Sequence, residues 1–268
     1  MLTRETILTT LENALQPLPY VHAMWQGGAS SFDRVDQWSD IDLQVISDDE
    51  RISDVFKVVE DALRSLSPIE LRYEFPQPTW HGHFQTFYRL KDASPFLLLD
   101  FVVQKRTNNN RFLQPEIHGE PIIHFDKEHW LKIPPLDVEA HLLAIRERIE
   151  ALRVLCDLFT VLTLKEIHRH NSIEALAFYQ SWTLRPLVEV LRIQHDPVRY
   201  NFHTRYIHYA LPPGGADPPR TAVYIGSAQD LEARFETASA WFREALAQVD
   251  MDAVRERVEQ ASEQHYGL

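Results

Sequence analysis

The sequence predicts an α+β protein, with a mixed β-sheet and flanking helices followed by an all-α helical bundle. Up to about residue 126, short strand-like segments alternate with two helical patterns, whereas only long helical patterns follow Asp137. The proline pair in "KIPPLD" separates the two halves. We therefore expect two domains, 1–130 and 131–268, and the chain of 268 residues with 44% hydrophobic content can supply a core for each.

The N-terminal half begins with an amphipathic helix predicted over residues 3–16, which Pro17 ends. A second helix is predicted over Arg51–Leu66, with Ser47 and Asp48 offering its cap. The remaining segments alternate polar with apolar residues or are continuously apolar, as strands are. These predicted strands are Tyr20–Trp25, Asp40–Ser47, Ile69–Phe75, Gly82–Leu90, Phe96–Val103 and the short piece Ile122–Phe125.

The C-terminal half is predicted to be helical throughout, with its strongest loop at "LPPGGADPPR". The predicted helices cover 137–169, 172–194, 199–209, 228–248 and 250–264. The single cysteine, Cys156, lies in a helical apolar pattern, so we interpret it as a core residue, and no internal disulfide can form.

Composition narrows the class of partner. The chain has 27 Lys and Arg against 39 Asp and Glu, a net charge of −12, which disfavours nucleic acid and anionic membrane surfaces and favours a small molecule or nucleotide. The N-terminus lacks the apolar core and cleavage site of a signal peptide, and no stretch approaches the roughly 20 apolar residues of a membrane span. We expect a cytoplasmic protein.

A glycine pair follows the first predicted strand in "MWQGGASSFDRVDQWSDIDLQVI". Gly27 and Gly28 permit a sharp turn and close approach of the backbone to a ligand. The amides of Ala29, Ser30 and Ser31 would then suit a phosphate. The alternative is an ordinary strand-to-helix turn, because a glycine-rich turn alone is a weak signal.

Three aspartates add a metal hypothesis. Asp40 and Asp42 are two residues apart on one predicted strand, so their carboxylates share a face, and a cation such as Mg²⁺ would relieve their repulsion. Asp100 stands in the middle of the apolar strand "FLLLDFVVQ" and suits a two-metal site or a general base. A solvated Asp pair and a buried aspartate satisfied by local amides are the alternatives.

Together these motifs resemble the nucleotidyltransferase superfamily that includes DNA polymerase beta. The pattern is an apolar strand, a glycine pair, about a dozen residues, Asp-x-Asp in a strand and a third acidic residue in "LLLDFVVQ". The compact α/β domain with a helical bundle after it is similar to the aminoglycoside and lincosamide nucleotidyltransferases. The motifs cover residues 21–103, and the helical half agrees only in architecture and length.

The resemblance implies specific roles. Gly27, Gly28 and Ser30 would hold the triphosphate, with Ser31 as a further hydroxyl because family members commonly carry Ser at the position of Gly28. Asp40 and Asp42 would ligate Mg²⁺, two ions being expected, and Asp100 would bind the second ion or help to deprotonate the acceptor. The implied reaction transfers a nucleoside monophosphate, AMP from ATP in the first instance, to a hydroxyl of a small acceptor, and releases pyrophosphate.

Several further residues are candidates for binding. Arg205, beside Tyr206 in an aromatic and basic stretch, is the preferred phosphate contact among five cations of the helical half. The other four cations are Lys165, Arg185, Arg192 and Arg199. Aromatic residues of the first half are candidates for an acceptor pocket: Trp80, Phe84, Phe87, Tyr88 and Trp130.

The sequence signal for a functional role is weaker at two histidines and two glutamates. His81 and His83 share a predicted strand face, as a transition-metal site would require, although no third ligand is evident. Glu70 and Glu74 are interpreted as solvated strand-face charges, and the alternatives are an extra base or a contact with a cationic substrate. The sequence leaves the oligomeric state open, a homodimer included.

Two other functions fit the sequence. Some members of the superfamily are antitoxins or modify a protein partner, and partner nucleases of that kind carry an Arg and a His a few residues apart, for which Arg199 and His203 are the nearest pair. The third hypothesis is a nucleotide-binding protein without turnover. Retention of all three aspartates favours an enzyme.

Overall fold

A computed structural model describes residues 2–77, 79, 81–212, 225 and 227–266. The chain divides into two compact units, Met1–Pro134 and Pro135–Leu268. The boundary predicted from the sequence is at residue 130. The first unit is built on a mixed sheet with flanking helices and the second is helical, so the α+β class predicted from the sequence is confirmed. None of the described helices is long and apolar enough to cross a membrane.

The first unit contains a six-stranded sheet in the order β3-β4-β5-β2-β1-β6. Its strands are β1 Val21–Gln26, β2 Ile41–Ser47, β3 Ile69–Glu74, β4 Phe84–Leu90, β5 Leu98–Lys105 and β6 Ile122–Asp126. Its α-helices are α1 Arg4–Leu15, α2 Ile52–Leu66 and the short α3 Pro115–His118, and a 3₁₀ turn covers Gly28–Phe32. Each strand predicted from the sequence is present, and no strand end is shifted by more than two residues.

Among the strands of the described sheet, only the central pair is parallel. β2 runs parallel to β5, whereas β1–β2, β1–β6, β3–β4 and β4–β5 are antiparallel. A parallel pair needs a long crossover, and here the chain between β2 and β5 supplies α2, β3 and β4. This crossover places the beginnings of β2 and β5, which carry two of the predicted aspartates, side by side.

One face of the sheet is covered by α1 and α2. Alternate residues of the central strands, such as Leu43, Val45 and Phe101, are fully buried at 0% exposure and pack against both helices in one apolar cluster. The helices contribute Ile7, Leu8, Leu11, Leu15, Ile52, Val55, Val59 and Leu63. The intervening strand residues point to the opposite face because the side-chain period of a strand is two.

The second unit is a helical bundle with its own core. Its α-helices are α4 Val138–His168, α5 Ser172–Tyr179, α6 Arg185–His195, the short α7 Ile207–Ala210, α8 Ala228–Ala247 and α9 Met251–Tyr266. Cys156 is 2% exposed within that core, as expected. Arg148 binds the buried Glu189 through two hydrogen bonds of 2.5 and 2.8 Å, which compensates the charge placed inside the bundle.

Three local predictions are wrong in detail. The helix predicted over 172–194 is interrupted by a π-helical turn at Gln180–Leu184. The segment 199–209 is a 3₁₀ turn and a single helical turn, separated by positive φ angles at His203 and Tyr206, which a continuous helix cannot contain. α2 begins after Arg51 without a side-chain cap, so Ser47 and Asp48 do not cap it. The loop predicted at 211–220 lies outside the described residues beyond position 212.

Candidate active site

Two of the three predicted aspartates lie directly opposite each other. Asp42 of β2 and Asp100 of β5 are paired positions in the parallel ladder, so their side chains share the face of the sheet that α1 and α2 do not cover. Adjacent strands are about 4.8 Å apart, which puts the two carboxylates within reach of one ligand. Two carboxylates this close repel each other unless a cation or hydrogen-bond donor lies between or beside them.

The glycine turn packs on one member of this pair. The Gly27 amide donates to the Asp42 carbonyl at 2.9 Å. Gly28 has a φ of +59°, and a Cβ built there would lie 1.7 Å from Asp42 Oδ2. Only glycine therefore fits at position 28, both because of its backbone conformation and because the carboxylate occupies the place of a side chain.

Gln85 of β4 fixes the other member. Its amide nitrogen donates to both carboxylate oxygens of Asp100, at 2.8 and 2.9 Å. These bonds hold the plane of the carboxylate. Gln85 also contacts His81, whose pKa is lowered by burial and partly restored by this hydrogen bond.

Asp40 lies one residue before β2 begins and therefore outside the ladder. The guanidinium of Arg4, at the start of α1, donates to the backbone carbonyls of Ser39 and Asp40. Burial lowers the pKa of Arg4, and the nearby carboxylates of Asp40 and Asp42 oppose that shift. Arg4 thus supplies a fixed positive charge beside the two aspartates of the Asp-x-Asp motif.

The two serines of the turn differ in environment. The Ser30 hydroxyl donates to Gln26 Oε1 at 3.4 Å and is partly exposed. The Ser31 hydroxyl donates to the Gln26 carbonyl at 3.3 Å, and the residue is 8% exposed. Ser31 therefore helps to close the turn, and its predicted contact with a nucleotide stays a prediction.

The donor set of this face is suitable for Mg²⁺. Among the residues that the structure describes, no three His, Cys, Asp or Glu side chains are grouped to hold a metal ion, so Asp40, Asp42 and Asp100 do not form one preassembled cluster. The ladder does pair Asp42 with Asp100. Mg²⁺ commonly takes one or two carboxylates and completes its shell with waters and substrate phosphates, and this pair fits that requirement.

The cations predicted in the second unit have mostly structural contacts. Arg205 is exposed and lies over the ring of Tyr206 at 5.9 Å, and its contact with a nucleotide stays a prediction. Arg192 is 1% exposed and bonds to Asp196 and to the carbonyls of His203 and Arg205. Arg199 binds Asp196, and Arg185 binds the His203 ring, so the structure pairs His203 with Arg185.

The histidine pair and the strand glutamates are also engaged. The rings of His81 and His83 are 4.8 Å apart, and His83 is 1% exposed with Nδ1 bonded to the Asn108 amide. Glu70 accepts from Arg89, and Glu74 accepts from Arg72, both at 2.9 Å on the exposed edge strand. Trp80 lies outside the described residues.

Arg4 and Gln85 were missed by sequence reasoning. Arg4 carried a usable signal, since a cation in the first turn of a helix is unfavourable for the helix dipole and points to another partner. For Gln85, the sequence signal is limited to its place in the alternating pattern of "FQTFYRL". Its contact with Asp100 depends on strand pairing, which the local pattern does not specify.

Comparison with known proteins does not assign this chain to a family. No family model matches the chain, and no curated protein does. Similar solved structures include an aminoglycoside 6-adenyltransferase from Bacillus subtilis, with 12% identity, a TM-score of 0.35 and coverage of 100% of this chain and 97% of that one. A nucleotidyltransferase-like protein from Exiguobacterium sibiricum is 11% identical, with a TM-score of 0.36 over 91% of this chain and 75% of that one.

Because the identities and TM-scores are low, the function of this chain has to be inferred from the geometry of its own site.

Proposed function

We propose that this chain is a metal-dependent nucleotidyltransferase. It transfers a nucleoside monophosphate, AMP from ATP in the first instance, to a hydroxyl of a small acceptor, for which aminoglycoside and lincosamide antibiotics are the first candidates. The observation that carries the proposal is the pairing of Asp42 with Asp100 across the parallel strands, with Gly28 packed against the Asp42 carboxylate.

The glycine turn supports the binding of phosphate beside the carboxylates. Gly27 and Gly28 bring the backbone close to Asp42 with no side chain between them. An anionic triphosphate next to two carboxylates needs a cation, and Mg²⁺ held by Asp42 and Asp100 would neutralise charge on the transferred phosphate and on the departing pyrophosphate. Asp40 stays a proposed further ligand, and a second ion a proposed addition.

The chemical steps of the transfer are assigned to residues of this chain. The acceptor oxygen forms a bond to the α-phosphorus, the bond from that phosphorus to the pyrophosphate oxygen breaks, and the hydroxyl proton passes to a base, a role we assign to Asp100. Gln85 holds the Asp100 carboxylate in position through its two hydrogen bonds. Catalysis of this kind is mostly placement and charge stabilisation.

Pyrophosphate release tests the proposal. The full chain is incubated with Mg²⁺, each of the four nucleoside triphosphates and a panel of hydroxylated acceptors that includes kanamycin, streptomycin and lincomycin. We expect acceptor-dependent release that Asp42→Asn abolishes. The matched control is Asp33→Asn, an exposed aspartate after the same turn with a φ of +54°, which asparagine tolerates. Equal release by the wild type and Asp42→Asn would contradict the proposal.

A further inference from the structure

A row of paired residues connects the carboxylates with aromatic side chains. Asp42 pairs with Asp100, Asp100 pairs with Phe87, and Phe87 pairs with Tyr73 across four adjacent strands. Directly paired residues share a face of the sheet. The row therefore runs from the candidate catalytic carboxylates to the exposed edge strand β3 on the face that α1 and α2 leave open.

This row enters a pocket of about 560 Å³. The wall of this pocket is unusually apolar for a protein surface, because four of its apolar residues are more than half exposed. These are Trp38 at 60%, Phe96 at 58%, Tyr73 at 57% and Leu71 at 55%. Phe87 and Asp40 also line it. Exposed aromatic side chains grouped in a concave site next to a carboxylate are typical of a ligand pocket.

The position of the pocket relative to the glycine turn is informative. The turn follows β1, on one side of β2, whereas β5, β4 and β3 lie on the other side. The carboxylate pair of β2 and β5 thus lies between the turn and the pocket. In-line transfer requires the leaving pyrophosphate and the attacking hydroxyl on opposite sides of the α-phosphorus. With phosphates on the turn, the hydroxyl has to come from the side of the pocket.

The charges of the pocket restrict the chemistry of its occupant. Asp40 is its one lining acid in the described residues. The lining cations, Arg72 and Arg89, are bound to glutamates, Arg72 to Glu60 and Glu74 and Arg89 to Glu70. Because these glutamates balance both arginines, the described lining offers a polycationic aminosugar a single carboxylate, Asp40, which itself lies beside the Arg4 guanidinium. A neutral ring would instead stack on the aromatic wall.

We propose that this pocket binds the acceptor and selects a hydroxyl compound with a neutral aromatic ring over a polycationic sugar. The assignment of the pocket to the acceptor rests on the proposed nucleotidyl transfer. It narrows the antibiotic candidates, since it disfavours aminoglycosides, and it adds Trp38, Tyr73 and Phe96 as residues that determine specificity.

Ligand-observed NMR titrations test this proposal. The probes are 2-(4-nitrophenyl)ethanol, 4-nitrophenyl β-D-glucopyranoside and kanamycin, each added to the full chain with Mg²⁺ and the α,β-methylene analogue of ATP. We expect both nitrophenyl probes to bind more tightly than kanamycin. Trp38→Ala and Tyr73→Ala should each weaken their binding about tenfold, as expected for the loss of a stacking partner and its buried area.

Controls separate the acceptor from the nucleotide. Ile122→Ala removes a side chain that is 46% exposed on β6, at the opposite edge of the sheet, and should change nothing. Nucleotide affinity should be the same in all four proteins. Failure of either nitrophenyl probe to bind the wild type, equal binding by all variants, or tighter binding of kanamycin would overturn the proposal.

Three outcomes distinguish the proposed acceptor pocket from the proposed nucleotidyl transfer on which it rests. A loss of nucleotide affinity in Trp38→Ala or Tyr73→Ala would assign the pocket to the nucleobase and overturn its assignment to the acceptor. No Mg²⁺-dependent nucleotide binding by the wild type would contradict the proposed function itself, whatever the probes do. Intact nucleotide binding with probe binding that no variant changes would contradict the acceptor pocket alone.

Discussion

The two faces of the N-terminal sheet are made by alternate residues of the same strands and differ most at the beginnings of β2 and β5. Leu43 and Phe101 point toward α1 and α2 and are fully buried at 0% exposure. Their neighbours in sequence, Asp42 and Asp100, point to the other face and remain partly exposed. A shift of one residue in either strand would exchange the two sets, so the apolar core also fixes the register that pairs the carboxylates.

Substitution on the open face should have the largest effect on activity. Asp42→Asn and Asp100→Asn should each lower turnover at least a thousandfold, or about 4 kcal/mol in the barrier, because each removes a charge that the reaction requires. Stability should change by no more than about 1 kcal/mol, since removing one of two adjacent like charges relieves repulsion and, in Asp100→Asn, offsets the loss of a hydrogen bond from Gln85. Steady-state kinetics measures the turnover, and urea unfolding measures the stability. A variant that loses much stability but keeps its turnover per folded molecule would show that these aspartates are structural rather than catalytic.

Substitution on the covered face should lower the stability and leave the nucleotide affinity of the folded molecules unchanged. Leu43→Ala should destabilise the first unit by about 3 kcal/mol, within the range for a fully buried leucine. The residual folded molecules should keep their nucleotide affinity. Hydrogen exchange of the β2 and β5 amides reports this unit specifically. Val102→Ala, at a partly exposed position of the open face, is the matched control and should accelerate exchange much less.

A buried histidine makes part of the open face sensitive to pH. Burial, with His81 and Arg111 nearby, lowers the pKa of His83 from its usual 6.5 to about 4. The unfolded chain therefore binds a proton that the folded chain does not between pH 6.5 and 4, and stability falls as the pH falls through this range. The loss reaches about 3 kcal/mol at pH 4, since one pKa unit corresponds to about 1.4 kcal/mol.

Urea unfolding at pH 7.5 and 4.5 measures this dependence. His83→Phe keeps an aromatic ring that cannot titrate, so its stability should fall less over the same interval. His208→Gln removes an exposed histidine and should keep the slope of the wild type. Identical slopes for His83→Phe and the wild type would show that His83 is not the group responsible.

The two glycines of the turn offer a comparison between adjacent positions. Gly28→Ala should cost about 1–2 kcal/mol of stability because of its positive φ, and should weaken nucleotide binding because its Cβ displaces the Asp42 carboxylate. Gly27→Ala brings its Cβ to 3.2 Å from the flexible Gln44 amide and should have a much smaller effect. Nucleotide titration of both variants checks this, and equal effects would contradict the packing of Gly28 on Asp42.

Substitution of Gln85 should have the smallest effect on turnover among the residues of the site. Gln85→Ala removes two hydrogen bonds from Asp100 and should cost about 1 kcal/mol of stability and lower turnover about tenfold. Gln85→Glu places a third carboxylate there and should move the acidic limb of the pH–rate profile upward, since like charges disfavour ionisation. Gln77→Ala, in an exposed loop, is the control. An unchanged profile in Gln85→Glu would mean that this side chain does not position Asp100.

Much of the fold could be predicted because it is local. The strands and the helices of the first unit follow from the period of apolar residues, and their observed ends lie within one or two residues of the prediction. The pairing of Asp42 with Asp100 could not be derived, because it depends on β2 lying beside β5 after a long crossover. The donation from Arg4 to Asp40 and from Gln85 to Asp100 depends on the same long-range arrangement.

The same limit applies in the second unit. The apolar pattern over 172–194 is continuous and gives no sign of the π-helical turn at Gln180–Leu184. Positive φ angles at His203 and Tyr206 break the segment 199–209 without a glycine to indicate it. The pocket aromatics show the limit most clearly. Phe87 was a sequence candidate, whereas Trp38, Tyr73 and Phe96 come together only because the loops before β2 and β5 lie beside the edge strand β3.

Calorimetric titration of ATP with and without Mg²⁺ tests the central claim most directly, since the claim is that Asp42 and Asp100 form one metal-dependent nucleotide site. The wild type should bind ATP only with Mg²⁺, and Asp42→Asn and Asp100→Asn should each weaken that binding at least tenfold while Asp33→Asn does not. Binding of ATP that persists in EDTA, or that neither substitution changes, would contradict the claim.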